Sequence, residues 1–197
     1  MILVYSDSKN LTLELLHKAA DLAKELKTKT IAVSIGTYDE PLAKEYIAYG
    51  ADKVVHVESD LEHYKAEEYT DILKHIINDT KTQVVLIGSD KNGKELASRI
   101  AGILDAGCII DATNVYMKDG KVTAERVVYS GNAIAVEQFN TTPSVVTVPS
   151  KVFDPLPKDA KRKGDIEKTK AVFETSPSTI ATVAELQSGG VNVEDAE

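Results

Sequence analysis

The chain has 197 residues, a hydrophobic share of 43% and a net charge of −8 at neutral pH, enough for one well-packed core. Its lysines and arginines alternate with acidic residues, which excludes the basic footprint of a nucleic-acid binder, and no apolar run approaches the ~20 residues that insert across a bilayer. Cys108 is the only cysteine, so an internal disulfide is excluded and a reducing, cytoplasmic setting is expected.

Met1 leads straight into a predicted strand, Ile2 to Tyr5, and not into a signal peptide. Ser6, Asp7 and Ser8 form a polar turn. Leu11, Leu15, Ala19, Leu22 and Leu26 then fall on one face of a helix, with Asn10 or Thr12 as its cap. Three more strand–helix units follow. The strands are Thr30 to Ile35, Lys53 to Val57 and Val84 to Gly88, each short and nearly all apolar, as strands buried on both faces are. The helices are Pro41 to Tyr49, ended by Gly50, one carrying Tyr69, Ile72, Leu73 and Ile76, and one carrying Leu96, Ala97, Ile100, Ala101 and Leu104. Right-handed crossovers between such units predict a three-layer α/β/α fold around a mainly parallel sheet.

After Asp105 the period changes. Asp119-Gly120 separates two alternating runs and signals a hairpin. "AIAVEQF" and "SVVTV" supply two further strands, and these later strands are expected to lie antiparallel, extending or flanking the main sheet. The basic run "KDAKRK", beside Pro155 and Pro157, has the composition of a solvated linker. The domain is therefore placed at residues 1–157, with 158–197 a tail or interdomain segment.

The chemistry-bearing motifs narrow the function. Gly88, Gly93 and Lys94 have the G-x-x-x-x-G-K spacing of a phosphate loop, but Glu95 replaces the hydroxyl that would hold magnesium and Asp90 adds a second carboxylate. Two carboxylates crowding a polyphosphate exclude triphosphate hydrolysis. The Ser6–Ser8 turn lacks the glycines of a pyrophosphatase loop, and no G-x-G-x-x-G follows any strand. The four histidines lack metal-ligand spacing, Cys108 lies in an apolar run as a small buried hydrophobe, and Ser130 is outside any nucleophile elbow. Ligands of open α/β sheets gather at the carboxyl ends of the strands. Ser6, Gly88, Ser89, Asp90, Gly93 and Lys94 are accordingly the candidates for contact with a cofactor or a partner. Gly88 lets the chain leave the sheet, and Gly93 lets it turn into the helix.

Three clusters carry a resemblance: "GSDKNGKELASRIA", "DAGCIIDATNV" and "YSGNAIA" with "TTPSVVTVPSKVF". Gly88, Gly93, Lys94, Glu95, Leu96, Ala97, Arg99 and Ala101, followed in order by Gly107, Asp111, Gly131, Asn132, Thr147, Val148 and Phe153, make residues 2 to about 157 resemble the N-terminal domain of the electron transfer flavoprotein alpha subunit. "GADKVVHVES" and "YKAEEYTDIL" are similar to that family's middle segment. The likeness departs at Ser98, where proline is usual, at Ser130, which replaces a glycine, and at Pro149, which replaces a frequent arginine.

The resemblance implies an adenine-nucleotide-hydrolase-like fold and electron transfer through a complex with a beta-type subunit. It implies FAD as the family's cofactor, held mostly by a second, glycine-rich domain. No such segment is present here, so FAD is not expected to bind this chain alone, and AMP is expected only within a complex. The chain is then a single-domain relative, one half of a split subunit working with a separate FAD-binding domain, or a shortened form. A stand-alone AMP- or ATP-binding or sensor module that has lost the flavin role is the alternative, and an enzyme of nucleotide α-phosphate chemistry a more remote one. Arg99, Asp111, Gly131 and Asn132 are expected to be structural. Arg99 should pair with Asp105 or Asp111, Gly131 should take positive φ or a tight position, and Asn132 should bond its own turn.

Overall fold

The computed structural model describes residues 1–59, 63–174, 180 and 182–183. Among the described residues the first half runs in the order β1 (Ile2–Tyr5), α1 (Lys9–Leu26), β2 (Thr30–Gly36), α2 (Glu40–Ala48), β3 (Lys53–Glu58), α3 (Ala66–Asp79), β4 (Val84–Gly88) and α4 (Lys91–Ile103). The second half holds β5 (Gly107–Ile109), β6 (Ala112–Lys118), β7 (Lys121–Val128), β8 (Ala133–Gln138), β9 (Ser144–Val148) and β10 (Asp165–Lys170). Seven strands form one parallel sheet in the order β10-β3-β2-β1-β4-β9-β5, and β6-β7-β8 form a separate antiparallel sheet.

Alternation of side chains along the parallel strands builds two cores. On one face Ile2, Val4, Ala32, Val54 and Leu86 pack with Leu15, Leu16, Ala19 and Leu22 of α1 and with Ala43 and Ile47 of α2. On the other, Leu3, Ile31, Val55, Val85 and Ile87 meet Ile72, Leu73 and Ile76 of α3 and Leu96, Ala97 and Ile100 of α4. The small sheet lies on the α1 side, where Val115, Val122, Ala124 and Phe139 join the first core. It covers the β4–β9–β5 end of the sheet as a further helix would.

Four features differ from the sequence expectation. The strand "SVVTV" is β9, parallel and central between β4 and β5, because five consecutive fully buried residues suit a two-faced interior position. Only β6, β7 and β8 are antiparallel. Residues 165–170, expected within a tail, form β10, which pairs with β3 from Asp165↔Lys53 to Lys170↔Glu58. The basic run before it is anchored, since Arg162 donates to Asp52 Oδ1 at 2.7 Å and to the Gly50 carbonyl at 3.1 Å. Helix α1 is capped by Ser8, not by Asn10 or Thr12. The Ser8 Oγ accepts the Leu11 N–H, and the Ser6 Oγ in turn accepts the Ser8 N–H. Cys108 is exposed, because β5 is a three-residue edge strand with solvent beside it.

Candidate functional site

The strand order reverses between β1 and β4: β1 continues to β2 and β3 on one side, and β4 begins the other side. A crevice at the carboxyl ends of two such strands is where doubly wound sheets take ligands. Ser6 directly follows β1 and Gly88 ends β4, so the sequence places both at this switch point.

The two glycines close the crevice. A Cβ on Gly88 would lie 2.4 Å from the Ser6 Oγ and 2.7 Å from Leu11 Cδ2. A Cβ on Gly93 would lie 1.8 Å from the Gly88 carbonyl oxygen, which only a glycine permits. Gly93 is already inside the helix, whose N-cap is Asp90, so the turn after β4 is confined to Ser89 and Asp90. The Asp90 carboxylate accepts the Gly93 N–H at 2.7 Å. A carboxylate of the chain itself thus occupies the end of α4 where the helix would otherwise present N–H groups to an anion. At α1 the neutral Ser8 hydroxyl caps the helix end by accepting the Leu11 N–H. Tyr5 donates to Asp7 Oδ1 at 2.5 Å, and burial, with the Asp7 charge behind it, pushes the Tyr5 phenol far above its ordinary range. Tyr64 donates to the Asn92 carbonyl at 3.2 Å across the same rim.

Beside this crevice Ser89, Lys94, Asp111 and Thr147 form one network. The Asp111 N–H donates to Thr147 Oγ1 at 3.0 Å, the Thr147 and Ser89 hydroxyls are 2.8 Å apart, and Ser89 donates to Asp111 Oδ1 at 2.5 Å. The loop closes on itself, so each bond polarises the next. Lys94 Nζ lies 2.8 Å from the second Asp111 oxygen. Burial alone would raise the Asp111 carboxyl, but hydrogen bonds from Lys94 and Ser89 and the charges of Lys94 and Arg126 hold it below its ordinary value. Asp111 has φ 57° at the point where the chain leaves β5 for the small sheet. Sequence reasoning misses Thr147 as a site residue; its signal is a hydroxyl flanked by valines within β9.

The remaining candidates lie elsewhere. Arg99 pairs with Glu95 at 2.9 Å and Glu67 at 3.4 Å, not with Asp105 or Asp111. Helical spacing explains it: Glu95 is one turn before Arg99, Asp111 is taken by Lys94 near the other end of α4, and Asp105 lies past the last turn. Gly131 has φ 94° with open space around its Cα, so backbone conformation and not packing calls for glycine. Asn132 donates through Nδ2 to the Tyr129 carbonyl at 2.8 Å and bonds its own turn as expected. Both belong to the β7–β8 hairpin tip and not to the crevice.

A pyrophosphate is poorly served by this arrangement, because the Gly93 N–H at the helix end is bonded to the Asp90 carboxylate, whose charge would repel it, and the two glycines hold backbone against backbone. The chain is matched over residues 3–173 by the family model for the electron transfer flavoprotein domain. It belongs to that family. It is 31% identical over 195 residues to the electron transfer flavoprotein subunit alpha of Megasphaera elsdenii, across 96% of this chain and 58% of that subunit. With the alpha subunit of Clostridium acetobutylicum the identity is 29% over 175 residues, across 87% of this chain and 52% of the relative. A lactate dehydrogenase (NAD(+),ferredoxin) subunit, LctC, of Acetobacterium woodii is 33% identical over 159 residues, 79% of this chain and 38% of its own. The chain spans about half the length of the curated alpha subunits it matches. Among the described residues of this electron transfer flavoprotein domain, no helix is long and apolar enough to cross a membrane.

Proposed function

We propose that this electron transfer flavoprotein domain serves electron transfer as an alpha-type scaffold, packing against a beta-type subunit in a flavoprotein complex while FAD is held outside its own crevice. The observation that carries this reading is the self-capped switch point. Asp90 and Ser8 bond the helix ends that a nucleotide phosphate would seek, and Gly93 rests on the Gly88 carbonyl. The family membership supports the flavin, and the filled crevice supports its placement in another segment or subunit. AMP belongs to the same proposal only as a ligand of the complex. In this reading the Ser89–Lys94–Asp111 rim, which carries one fixed ion pair, faces the partner.

Mixing the purified chain with a beta-type electron transfer flavoprotein subunit, with and without FAD, tests it. The chain alone should be colourless, and FAD should leave its thermal midpoint unchanged within error, since a ligand stabilises only above its dissociation constant. With the beta-type subunit it should co-elute. Yellow protein retaining one flavin per chain after dialysis would overturn the placement of FAD, and failure to co-elute under any flavin condition would overturn the scaffold reading.

A further inference from the structure

We infer that the outer edge of β8 pairs with the β8 of a second copy, joining two small sheets into one six-stranded antiparallel sheet. The strand is at the sheet's edge in the order β6-β7-β8, and among the described residues no strand pairs with its other side. It lacks the usual protections of an edge. Its six residues, Ala133 to Gln138, contain no proline, no lysine and no bulge against β7. Ile134 is 64% exposed and Val136 54%, and Val127, cross-strand from Ile134, is 51% exposed.

The ladder decides which backbone groups are free. The Phe139 N–H donates to the Val122 carbonyl, so Phe139 and, by alternation, Glu137, Ala135 and Ala133 bond inward to β7. The N–H and C=O groups of Ile134, Val136 and Gln138 therefore point outward. A two-fold axis through Ala135 places Ile134 opposite Val136 of the mate, two outward residues that exchange a pair of hydrogen bonds on each side of the axis. The same register sets Ala135 against Ala135, Ala133 against Glu137 and Gln138 against Asn132.

Charge agrees with this register. Glu137 is the strand's one charged residue, it meets alanine, and it is already paired with Arg126 at 3.2 Å on the opposite face from Ile134. Shifting the axis to Val136 would set Ile134 against Gln138 and replace the two Ile134–Val136 pairs by a single Val136–Val136 pair. Adding a six-residue strand covers less than the about 800 Å² per partner of a standard interface, so the dimer is weak and concentration-dependent. The homodimer stands independently of the beta-type partner proposed above.

Sedimentation from about 5 to 200 µM reads it, with amide exchange at both limits. The wild type should rise from 21.4 kDa toward twice that mass, and the amides of Ile134 and Val136 should slow with concentration while those of Ala135 and Glu137 do not. The double variant Ile134→Lys, Val136→Lys should stay monomeric, as should Val136→Pro, which removes an outward N–H and leaves the inner ladder intact. Val127→Lys, one strand in from the edge, should still dimerise. A wild type that is monomeric at 200 µM with concentration-independent exchange would overturn the pairing. So would a Val136→Pro protein that dimerises, or a Val127→Lys protein as monomeric as the double variant, which would mean that sheet faces stack.

Discussion

Gly93 shows how little room the switch point leaves. Its missing Cβ would sit 1.8 Å from the Gly88 carbonyl, and backbone cannot move aside as a side chain can. Gly93→Ala should cost at least about 3 kcal/mol, more than ordinary overpacking, whereas Gly102→Ala, where nothing lies within 4 Å, should be neutral or slightly stabilising in the same helix. Urea midpoints of the two variants check the contrast. Asp111 gives a pH-dependent counterpart. Its carboxyl is held below its ordinary value in the fold, so its stabilising contribution is present above the unfolded value near 4 and is lost as pH falls through the depressed one. Asp111→Asn should lower the thermal midpoint at pH 7 and have progressively less effect towards pH 3. A difference from wild type that is constant over that range would contradict the assignment.

At the scale of the elements, helix α4 carries its own stop for anions. Asp90→Ala removes the cap and should cost about 1 kcal/mol. It also uncovers the Gly93 N–H and removes a negative charge from the helix end, so inorganic phosphate should protect the variant against thermal unfolding more than it protects the wild type, and equal protection would argue against the cap as what keeps anions away. The cap also shows where sequence reading succeeds and where it stops. Apolar periodicity identifies α1, α3 and α4, each of which buries a stripe, Pro41 and Gly50 bracket α2, and short apolar runs mark β1 to β4. The same rule could not tell that "SVVTV" pairs in parallel, since an apolar pentamer is compatible with either direction. Nor could it find β10, whose "DIEKTK" is polar throughout and is fixed by Arg162 on Asp52 and by the ladder to β3. The glycine pair stood out by its spacing, but its purpose required knowing that the two residues meet. Arg99 lies on the expected helix but pairs with Glu95 and Glu67, because Asp111 has a closer cation in Lys94.

At the scale of the whole molecule, the main sheet finishes its two edges by different means. One edge is completed by β10, which arrives from beyond the expected domain end at residue 157 and brings Ile166 against the first core. A chain stopped at 157 should therefore lose roughly 2 kcal/mol from that side chain alone, lowering the thermal midpoint by roughly 4–8 °C relative to one ending at 174. Equal midpoints would make β10 an appendage. At the other edge, β5 touches the sheet only through β9, and the entire small sheet lies between them in the chain. During synthesis β5 thus emerges without a neighbour, and the slot beside β4 stays vacant until Ser144 to Val148 have been made. Hairpins close in microseconds, while pairing that spans so long a stretch is slow. The β6–β8 module consequently has time to fold before the main sheet can be completed, and the last strand into the sheet's interior is one whose flanks were both waiting for it.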